Sequence, residues 1–325
     1  MRIEDTDRER STEEAVQAIF EGMQWLGLDS DEAPIFQTGR FERYNEVIDQ
    51  LMEKGLAYRC VCTKARLDNL REKQMAAKQK PRYDGHCREK HVRADQPHVI
   101  RFKTPQNGAV RMDDLVRGNV SIPNAELDDL IIRRTDGSPT YNLTVVVDDH
   151  DTDITHVVRG DDHLNNTPRQ IHLYNALGWD TPIFGHVPMI LGDDGARLSK
   201  RHGAVSVLQY RDQGYLPDAL LNYLVRLGWS HGDQEVFSRE RMVALFDIRD
   251  VNKAPSSFNT DKLRWLNRQY IKEADPKVLA GLMDRHLQSR GVREDDQDRL
   301  TQIIQAQRGR AHTLEELAEV SLFYF

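Results

Sequence analysis

The chain has 325 residues, of which 39% are hydrophobic and 30% are charged, and its formal net charge is −7. A chain of this length is expected to form two or three domains, and its acidic balance excludes a protein that coats nucleic acid indiscriminately. No apolar run approaches the roughly 20 residues that span a bilayer, and the N-terminus lacks a secretory pattern, so a cytoplasmic location is expected.

The predicted elements alternate between strands and helices, which is typical of α/β folds. The first strand ends at Arg2-Ile3-Glu4, and a helix is expected from Thr12 to about Leu26. Ser11 and Glu14 would form the capping box of this helix, and Gly27 would end it. Further strands are expected at Ala57–Cys62, His98–Lys103, Leu130–Arg134, Thr155–Arg159 and Ile183–Leu191.

The remaining helices are expected around Tyr44–Met52, from Thr167 with Pro168 at the first helical position, and in several short pieces beyond Leu216. The segment Val145–Val147 has strand propensity. Only the family resemblance given below indicates a helix there.

All three cysteines, Cys60, Cys62 and Cys87, lie in one short segment. In a reducing compartment this clustering favours a metal site over a disulfide framework, although buried cysteines without a ligand give the same pattern. Zinc prefers four ligands of thiolate, imidazole or oxygen type. Three are present, and His86, Glu89 and His91 lie within reach in sequence as a fourth.

The segment from Lys64 to Arg111 carries 13 Lys and Arg against 5 Asp and Glu, a local charge of +8. A solvated helix face is one explanation of this charge. The other is a surface that faces nucleic-acid phosphates without reading bases.

A glycine-flanked basic loop, Gly195–Gly203, follows the last predicted strand. Such a sequence alone is often only a surface loop, but its residues Arg197-Leu198-Ser199-Lys200-Arg201 resemble the KMSKS loop of class I aminoacyl-tRNA synthetases, in the form typical of the glutamyl and glutaminyl branch. A mobile lysine can meet the charge that develops on ATP phosphates. The resemblance therefore implies that Lys200 binds ATP, with Arg197, Ser199 and Arg201 beside it in the catalytic loop. Arg197 replaces the first lysine of the family.

Three further segments resemble glutamyl-tRNA synthetases: Arg2–Arg8, Asp136–Leu143 and Val147–Gly160. The resemblance implies that Glu4 binds the ammonium group of glutamate and that Tyr141 and Arg159 help to hold its carboxylates, for which Arg offers a matched fork. Without it, Glu4 would belong to an acidic helix cap, Tyr141 would be a core aromatic and Arg159 a surface ion pair.

The cysteine segment with Tyr83-Asp84-Gly85-His86-Cys87 resembles the zinc knuckle in the acceptor-stem domain of many bacterial members. One arrangement in that family implies Tyr83 as the fourth ligand. The zinc would be structural and would stiffen the basic segment against tRNA.

The resemblance runs almost continuously from Arg2 to Tyr270. It implies an α/β fold: a class I synthetase parallel sheet of Rossmann type lacking its first strand, with an α+β acceptor-stem insertion, an α-helical stem-contact region and the start of an all-α anticodon-binding domain. The expected domains are 1–38 with 142–192 (catalytic), 39–141 (insertion), 193–272 (loop and stem contact) and 273–325 (anticodon binding). The family's first strand and its histidine signature have no match here, so two unpaired strand edges and little or no activity of this chain alone are expected.

The implied function is ATP-dependent ligation of L-glutamate to tRNA-Glu through a glutamyl-adenylate, with ATP and Mg²⁺ as substrate, structural Zn²⁺, and a monomeric enzyme. Two alternatives remain at this point. One is a glutamyl-queuosine tRNA-Asp synthetase, which shares the catalytic half, and the other is a noncatalytic tRNA-binding protein.

Overall fold

The computed structural model describes residues 1–6, 11–192, 194–198 and 206–325. They form two compact units: Met1–Ser11 with Glu32–Val187, and Thr12–Asp31 with Pro188–Phe325. No helix in the described ranges is long and apolar enough to cross a membrane.

The strands are β1 (Arg2–Ile3), β2 (Ile35–Phe36), β3 (Ala57–Cys60), β4 (Val99–Phe102), β5 (Ala109–Asp114), β6 (Gly118–Pro123), β7 (Ile131–Arg133), β8 (His156–Gly160) and β9 (Ile183–Val187). The helices are α1 (Glu13–Leu26), α2 (Phe41–Glu53), α3 (Lys64–Ala76), α4 (Tyr141–Asp151), α5 (Thr167–Leu177), α6 (Val207–Asp212), α7 (Pro217–Gly228), α8 (Arg239–Leu245), α9 (Thr260–Glu273), α10 (Pro276–Gln288), α11 (Gln297–Gln307) and α12 (Leu314–Ser321).

Two parallel strand pairs lie in the first unit. β1 pairs with β2, and β8 pairs with β9 over five residues from His156 opposite Ile183. No ladder between described residues joins the two pairs, so β1 and β8 each have one partner there. Parallel strands connected through helices confirm the predicted α/β class.

The insertion between the parallel pairs is built from antiparallel strands. β3, β4 and β7 form one sheet, and β5 and β6 form a hairpin in which Ala109 lies opposite Pro123 and Asp114 opposite Gly118. This hairpin was not predicted from the sequence, because the apolar residues Ala109, Val110 and Met112 of β5 do not alternate regularly with its polar ones. The mixed helical and antiparallel character of the insertion agrees with the prediction.

The helix α4 settles the ambiguous segment Val145–Val147, which is helical and fully buried. Its neighbours in the core are Tyr44, Val47, Ile48 and Leu51 of α2. Strand propensity is a weak preference that tertiary burial overrides.

Several boundaries predicted from the sequence are wrong, and β3, for example, ends at Cys60 and not at Cys62. Helix α1 is capped by Thr12, whose hydroxyl accepts the Ala15 amide at 3.2 Å, and not by Ser11. The last parallel strand ends at Val187, four residues before the predicted Leu191. The predicted stop at Gly27 is confirmed, since this residue has the left-handed φ of +63°.

The second unit is almost entirely helical, as predicted beyond Leu216. Helix α1 packs on α6 and α7, and its Gly22 lies against Val207. The helices α10, α11 and α12 enclose a separate apolar core that includes Leu279, Met283, Leu300 and Leu317. The four domains predicted from the sequence remain a prediction. In the two compact units of the structure, residues Thr12–Asp31 belong to the second unit.

Candidate functional site

Arg159 lies in the middle of the first unit, on β8, and is half-buried. Its Nη2 donates to the Thr167 hydroxyl and to Gln170 Oε1, both at 2.7 Å, and its Nε donates to His186 Nε2 at 3.3 Å. The guanidinium is thus oriented through two of its three nitrogens. The Tyr141 hydroxyl interacts with the same guanidinium.

The positive charge of Arg159 is not balanced by any described carboxylate within 4.0 Å, whereas Arg2, Arg40 and Arg88 of this unit each pair with an aspartate. Burial lowers the pKa of Arg159, and the neighbouring Tyr141 opposes that effect. A half-buried cation with only neutral partners is costly. Such a position suits an anionic ligand.

Tyr141 is the first residue of α4, and its hydroxyl lies 3.1 Å from His163 Nδ1. Burial raises the pKa of Tyr141, the charge of Arg159 lowers it and that of Glu4 raises it. Both charges therefore act on the same hydroxyl. The structure brings together all three residues that the sequence predicted for one amino-acid pocket.

Glu4 directly follows β1 and is exposed, with one carboxylate oxygen 3.0 Å from Arg2 Nη2. Arg2 also pairs with the buried Asp149. Although burial alone would lower the pKa of Arg2, its bonds to Asp149 raise it. Glu4 thus keeps an accessible oxygen for a cation, while Arg2 anchors its position.

Sequence reasoning missed the three residues that hydrogen-bond to Arg159, which are Thr167, Gln170 and His186, and it gave no role to Arg2. Asp149 was quoted within Val147–Gly160 without a role. A signal for Asp149 existed, because it closely follows the apolar run Val145–Val147, and a buried Asp usually has a partner. The polar residues of α5 and β9 carried no comparable pattern.

The three cysteines form a second cluster in the same unit. The sulfurs of Cys60, Cys62 and Cys87 lie within 4.8 Å of one another, with Cys62 and Cys87 at 3.6 Å. Tetrahedral zinc with bonds of ~2.3 Å separates its sulfur ligands by about 3.8 Å. The spacing fits such a centre.

Tyr83 completes this cluster. Its hydroxyl lies 3.4 Å from Cys60 Sγ and 3.7 Å from Cys62 Sγ, and the Arg101 guanidinium stacks on its ring at 3.8 Å. Burial would raise the pKa of Cys60, but the hydrogen bonds from Tyr83 and the Cys62 backbone outweigh it and lower this pKa. A thiolate is the form that binds zinc. Burial raises the pKa of Cys62 to about 11, so this second thiol would release its proton only when the metal binds.

The alternative fourth ligands are exposed. His86, Glu89 and His91 all face solvent, and His86 Nε2 lies 2.6 Å from Lys90 Nζ. Among the described residues, no imidazole or carboxylate ligand atom joins the three sulfurs within 4.8 Å.

The predicted catalytic loop is described only in part. Arg197 forms an isolated bridge with Leu191. Ser199, Lys200 and Arg201 lie outside the described residues.

Comparison with known proteins gives these sites a context. Residues 1–265 match the family described as class I tRNA synthetases (E and Q), catalytic domain. The chain is 62% identical over 328 residues to glutamate–tRNA ligase 1 of Alkalilimnicola ehrlichii, covering all of this chain and 69% of that protein. Two solved structures, both 30% identical with a TM-score of 0.87, match the whole chain. They are a glutamate tRNA ligase of Elizabethkingia meningosepticum in complex with its amino acid, 72% covered, and the glutamate-tRNA synthetase of Elizabethkingia anophelis, 74% covered.

The fold and the matched family define the class: the chain belongs to the class I tRNA synthetases of the glutamyl and glutaminyl type. Within that class it belongs with the glutamate–tRNA ligases. The resemblance noted from the sequence is therefore confirmed.

Proposed function

We propose that this chain binds L-glutamate through Arg159, Tyr141 and Glu4 and serves its ATP-dependent ligation to tRNA-Glu. The observation that carries the proposal is the half-buried guanidinium of Arg159, which has neutral partners only. Free glutamate is an ammonium with two carboxylates. A site with one guanidinium that has no carboxylate within 4.0 Å, one hydroxyl and one accessible carboxylate complements it.

The reaction proposed has two steps. A carboxylate oxygen of glutamate attacks the α-phosphate of ATP, pyrophosphate leaves, and the acyl group of the adenylate then passes to the terminal ribose of tRNA. Arg159, Tyr141 and Glu4 hold the amino acid in place, which supplies much of the rate enhancement of a two-substrate reaction. Lys200 is proposed to meet the phosphate charge, with Arg197, Ser199 and Arg201 as its neighbours and Mg²⁺ entering with ATP.

We further propose that Cys60, Cys62, Cys87 and Tyr83 hold a structural zinc ion. Zinc, when bound, supplies a cross-link and no step of the reaction. Cys62 immediately precedes Thr63, which caps α3 by accepting the Arg66 amide at 3.3 Å. The metal would therefore fix the start of this helix.

The basic segment is proposed to face the phosphates of tRNA. Helix α3 has no buried residue. Five exposed cations on it and just beyond it form no ion pair with the described residues: Lys64, Arg71, Lys73, Lys78 and Lys80. An exposed, unpaired cation can neutralise a phosphate. Because tRNA, ATP and glutamate meet in the cytoplasm, we propose a cytoplasmic enzyme, and we propose that it acts as a monomer.

Isothermal calorimetry tests the glutamate site. The unaltered chain should bind L-glutamate, and Arg159→Gln should weaken binding at least about tenfold, because hydrogen bonds to charged groups contribute about 1.5–3 kcal/mol. Arg134→Gln is the matched control, since Arg134 is exposed and lies in the turn before α4. Equal affinity of Arg159→Gln and Arg134→Gln would contradict the proposal.

The choice of tRNA is tested with the same chain by filter binding. Tighter binding of tRNA-Asp than of tRNA-Glu would favour the queuosine-modifying alternative. Salt-sensitive tRNA binding without any glutamate binding would favour the noncatalytic one.

Metal analysis of purified protein tests the zinc site. One zinc per chain is expected, with weaker retention against a chelator in Tyr83→Phe. The control is Tyr58→Phe, which removes a neighbouring buried hydroxyl bonded to Asp129 at 2.6 Å rather than to sulfur. No zinc in the unaltered protein, or equal retention in both variants, would contradict the assignment of Tyr83.

A further inference from the structure

His186, which accepts from Arg159 Nε, is itself bonded to a buried carboxylate, that of Asp114. His186 on β9 is fully buried, and its Nδ1 lies 2.6 Å from Oδ2 of Asp114, which is 2% exposed. Its other nitrogen, Nε2, lies 3.3 Å from Arg159 Nε and 2.9 Å from the Thr167 hydroxyl. The Asp114–His186 pair therefore contacts the guanidinium of Arg159 through His186 Nε2.

The protons of this chain of contacts can be assigned. Although burial raises the pKa of Asp114, the amides of Arg117, His186 and Val116 and the His186 ring outweigh it and lower that pKa, so the carboxylate is ionised. An ionised carboxylate only accepts, which requires the imidazole proton on Nδ1. Burial lowers the pKa of His186 despite the nearby Asp114, so the ring is neutral and Nε2 is an acceptor.

A neutral imidazole with a free Nε2 is what Arg159 Nε requires. Thr167 accepts from Arg159 Nη2, so its own proton is available for the same Nε2. In the other tautomer, His186 Nε2 would carry the proton and would face the Nε–H group of Arg159, so that two donors would point at each other. The Asp114 carboxylate fixes the tautomer of His186, and this tautomer decides whether Arg159 Nε has a hydrogen-bond acceptor.

We propose that Asp114 and His186 are positioning residues that fix the guanidinium of Arg159 for the carboxylate of the amino-acid ligand. The inference rests on the proposed function for the identity of that ligand. Neither residue touches the substrate or transfers a proton in the reaction. A misplacement of a binding group by ~1 Å can cost about a hundredfold.

The position of Asp114 also connects the site to the insertion. Asp114 ends β5, and the turn after it is held by the Leu115 amide, which donates to the Phe184 carbonyl at 2.9 Å, and by an Arg117–Asp161 ion pair. The hairpin β5–β6 thereby supplies a group that acts on Arg159, whose hydrogen-bond partners lie on β9 and α5. Correct docking of the hairpin becomes a condition for glutamate binding.

The substitution Asp114→Asn provides the test, because its amide can take only one orientation. Oδ1 of Asp114 accepts the amides of Val116, Arg117 and His186 at 2.8–3.1 Å, so the carbonyl oxygen of Asn must occupy that place. Its NH₂ group then faces His186 Nδ1 and forces the proton onto Nε2. The side chain keeps its size.

Three quantities are measured on the unaltered chain and on Asp114→Asn: the His186 tautomer and the Arg159 Nε–H signal by ¹⁵N NMR, and the dissociation constant for L-glutamate by calorimetry. The tautomer should switch, the Arg159 signal should shift or broaden, and the dissociation constant should rise about 10- to 100-fold. The control His172→Gln should change none of the three, because His172 is a buried imidazole bonded to Asn124 Oδ1 at 2.9 Å.

A second variant separates positioning from simple packing. In His186→Gln an amide oxygen can still accept from Arg159, so this variant should bind L-glutamate better than Asp114→Asn does. If packing alone mattered, loss of a fully buried ring would be the more damaging change. A switched tautomer with an unchanged Arg159 signal would overturn the inference. If the Arg159 signal responds while even the unaltered chain fails to bind L-glutamate, the positioning role stands and the proposed function fails.

Discussion

Replacing Arg159 by Lys keeps the positive charge and removes the planar fork. Nε and Nη2 are held by His186, Thr167 and Gln170, and the Tyr141 hydroxyl also interacts with the guanidinium. A lysine ammonium is a point charge on a flexible stem, and it cannot satisfy the three acceptors and a ligand carboxylate together. If one charge-assisted bond of about 1.5–3 kcal/mol is lost, affinity for L-glutamate falls about 10- to 150-fold.

A thermodynamic cycle that combines Arg159→Lys with a change of ligand isolates the contact between Arg159 and a ligand carboxylate. Calorimetry would compare unaltered protein and Arg159→Lys, each with L-glutamate, with L-glutamine, which lacks the side-chain carboxylate, and with L-isoglutamine, which lacks the main-chain one. One of the two amides should show a coupling energy of at least about 1 kcal/mol and the other almost none, which identifies the carboxylate that Arg159 binds. Arg134→Lys is the control. A coupling energy of zero with both L-glutamine and L-isoglutamine would show that Arg159 does not bind a carboxylate of the ligand.

Two further predictions concern stability and use denaturant unfolding. Gly214 has φ +81°, and a Cβ there would lie 2.5 Å from the Glu315 amide nitrogen, so Gly214→Ala should lower the free energy of unfolding by about 2–5 kcal/mol. The control Gly291→Ala should lower it by only about 1 kcal/mol, because Gly291 has φ +75° but open space around it. Equal losses in the two variants would contradict the close approach at Gly214. Burial would raise the pKa of Asp128, but its hydrogen bonds from the Tyr83 amide and Arg169 outweigh this effect and lower the pKa. The ionised Asp128 therefore stabilises the folded protein above its unfolded pKa near 3.9, and this stabilisation is lost as the pH falls through the lower folded pKa. Asp128→Asn should therefore lose about 1 kcal/mol near neutral pH and less below about pH 3, whereas a loss that stays constant with pH would show that the charge is not involved.

The helices of this protein were largely predictable because their signals are local. Gly27 ends α1 where an αL residue was expected, and Pro168 opens α5 within its first turn. Periodicity alone did not decide α4, whose β-branched run Val145–Val147 needed the family resemblance. The burial of that run against α2 is a tertiary effect that no short window of sequence contains.

The candidate site was predictable where a motif marked it and not elsewhere. Glu4, Tyr141 and Arg159 were named from the sequence, but Asp114 and His186 were not. These two are 72 positions apart, and Asp114 ends a polar strand whose pairing was itself not predicted. A contact of that range depends on how the hairpin docks, and one sequence carries no pattern for it.

The zinc cluster is an intermediate case. The cysteine spacing indicated a metal site, while four residues competed for the fourth position. The folded backbone separates them, since Tyr83 is buried beside the sulfurs whereas His86 is exposed. Burial, which distinguishes the candidates, is a property of the fold.

A crystal structure of the chain soaked with L-glutamate would show directly whether Arg159, Tyr141 and Glu4 bind the amino acid. Density for the amino acid should appear with one carboxylate within hydrogen-bond distance of the Arg159 guanidinium, beside the Tyr141 hydroxyl, and with its ammonium toward Glu4. Saturated crystals in which these three side chains contact only water, or in which the amino acid binds elsewhere, would contradict the account.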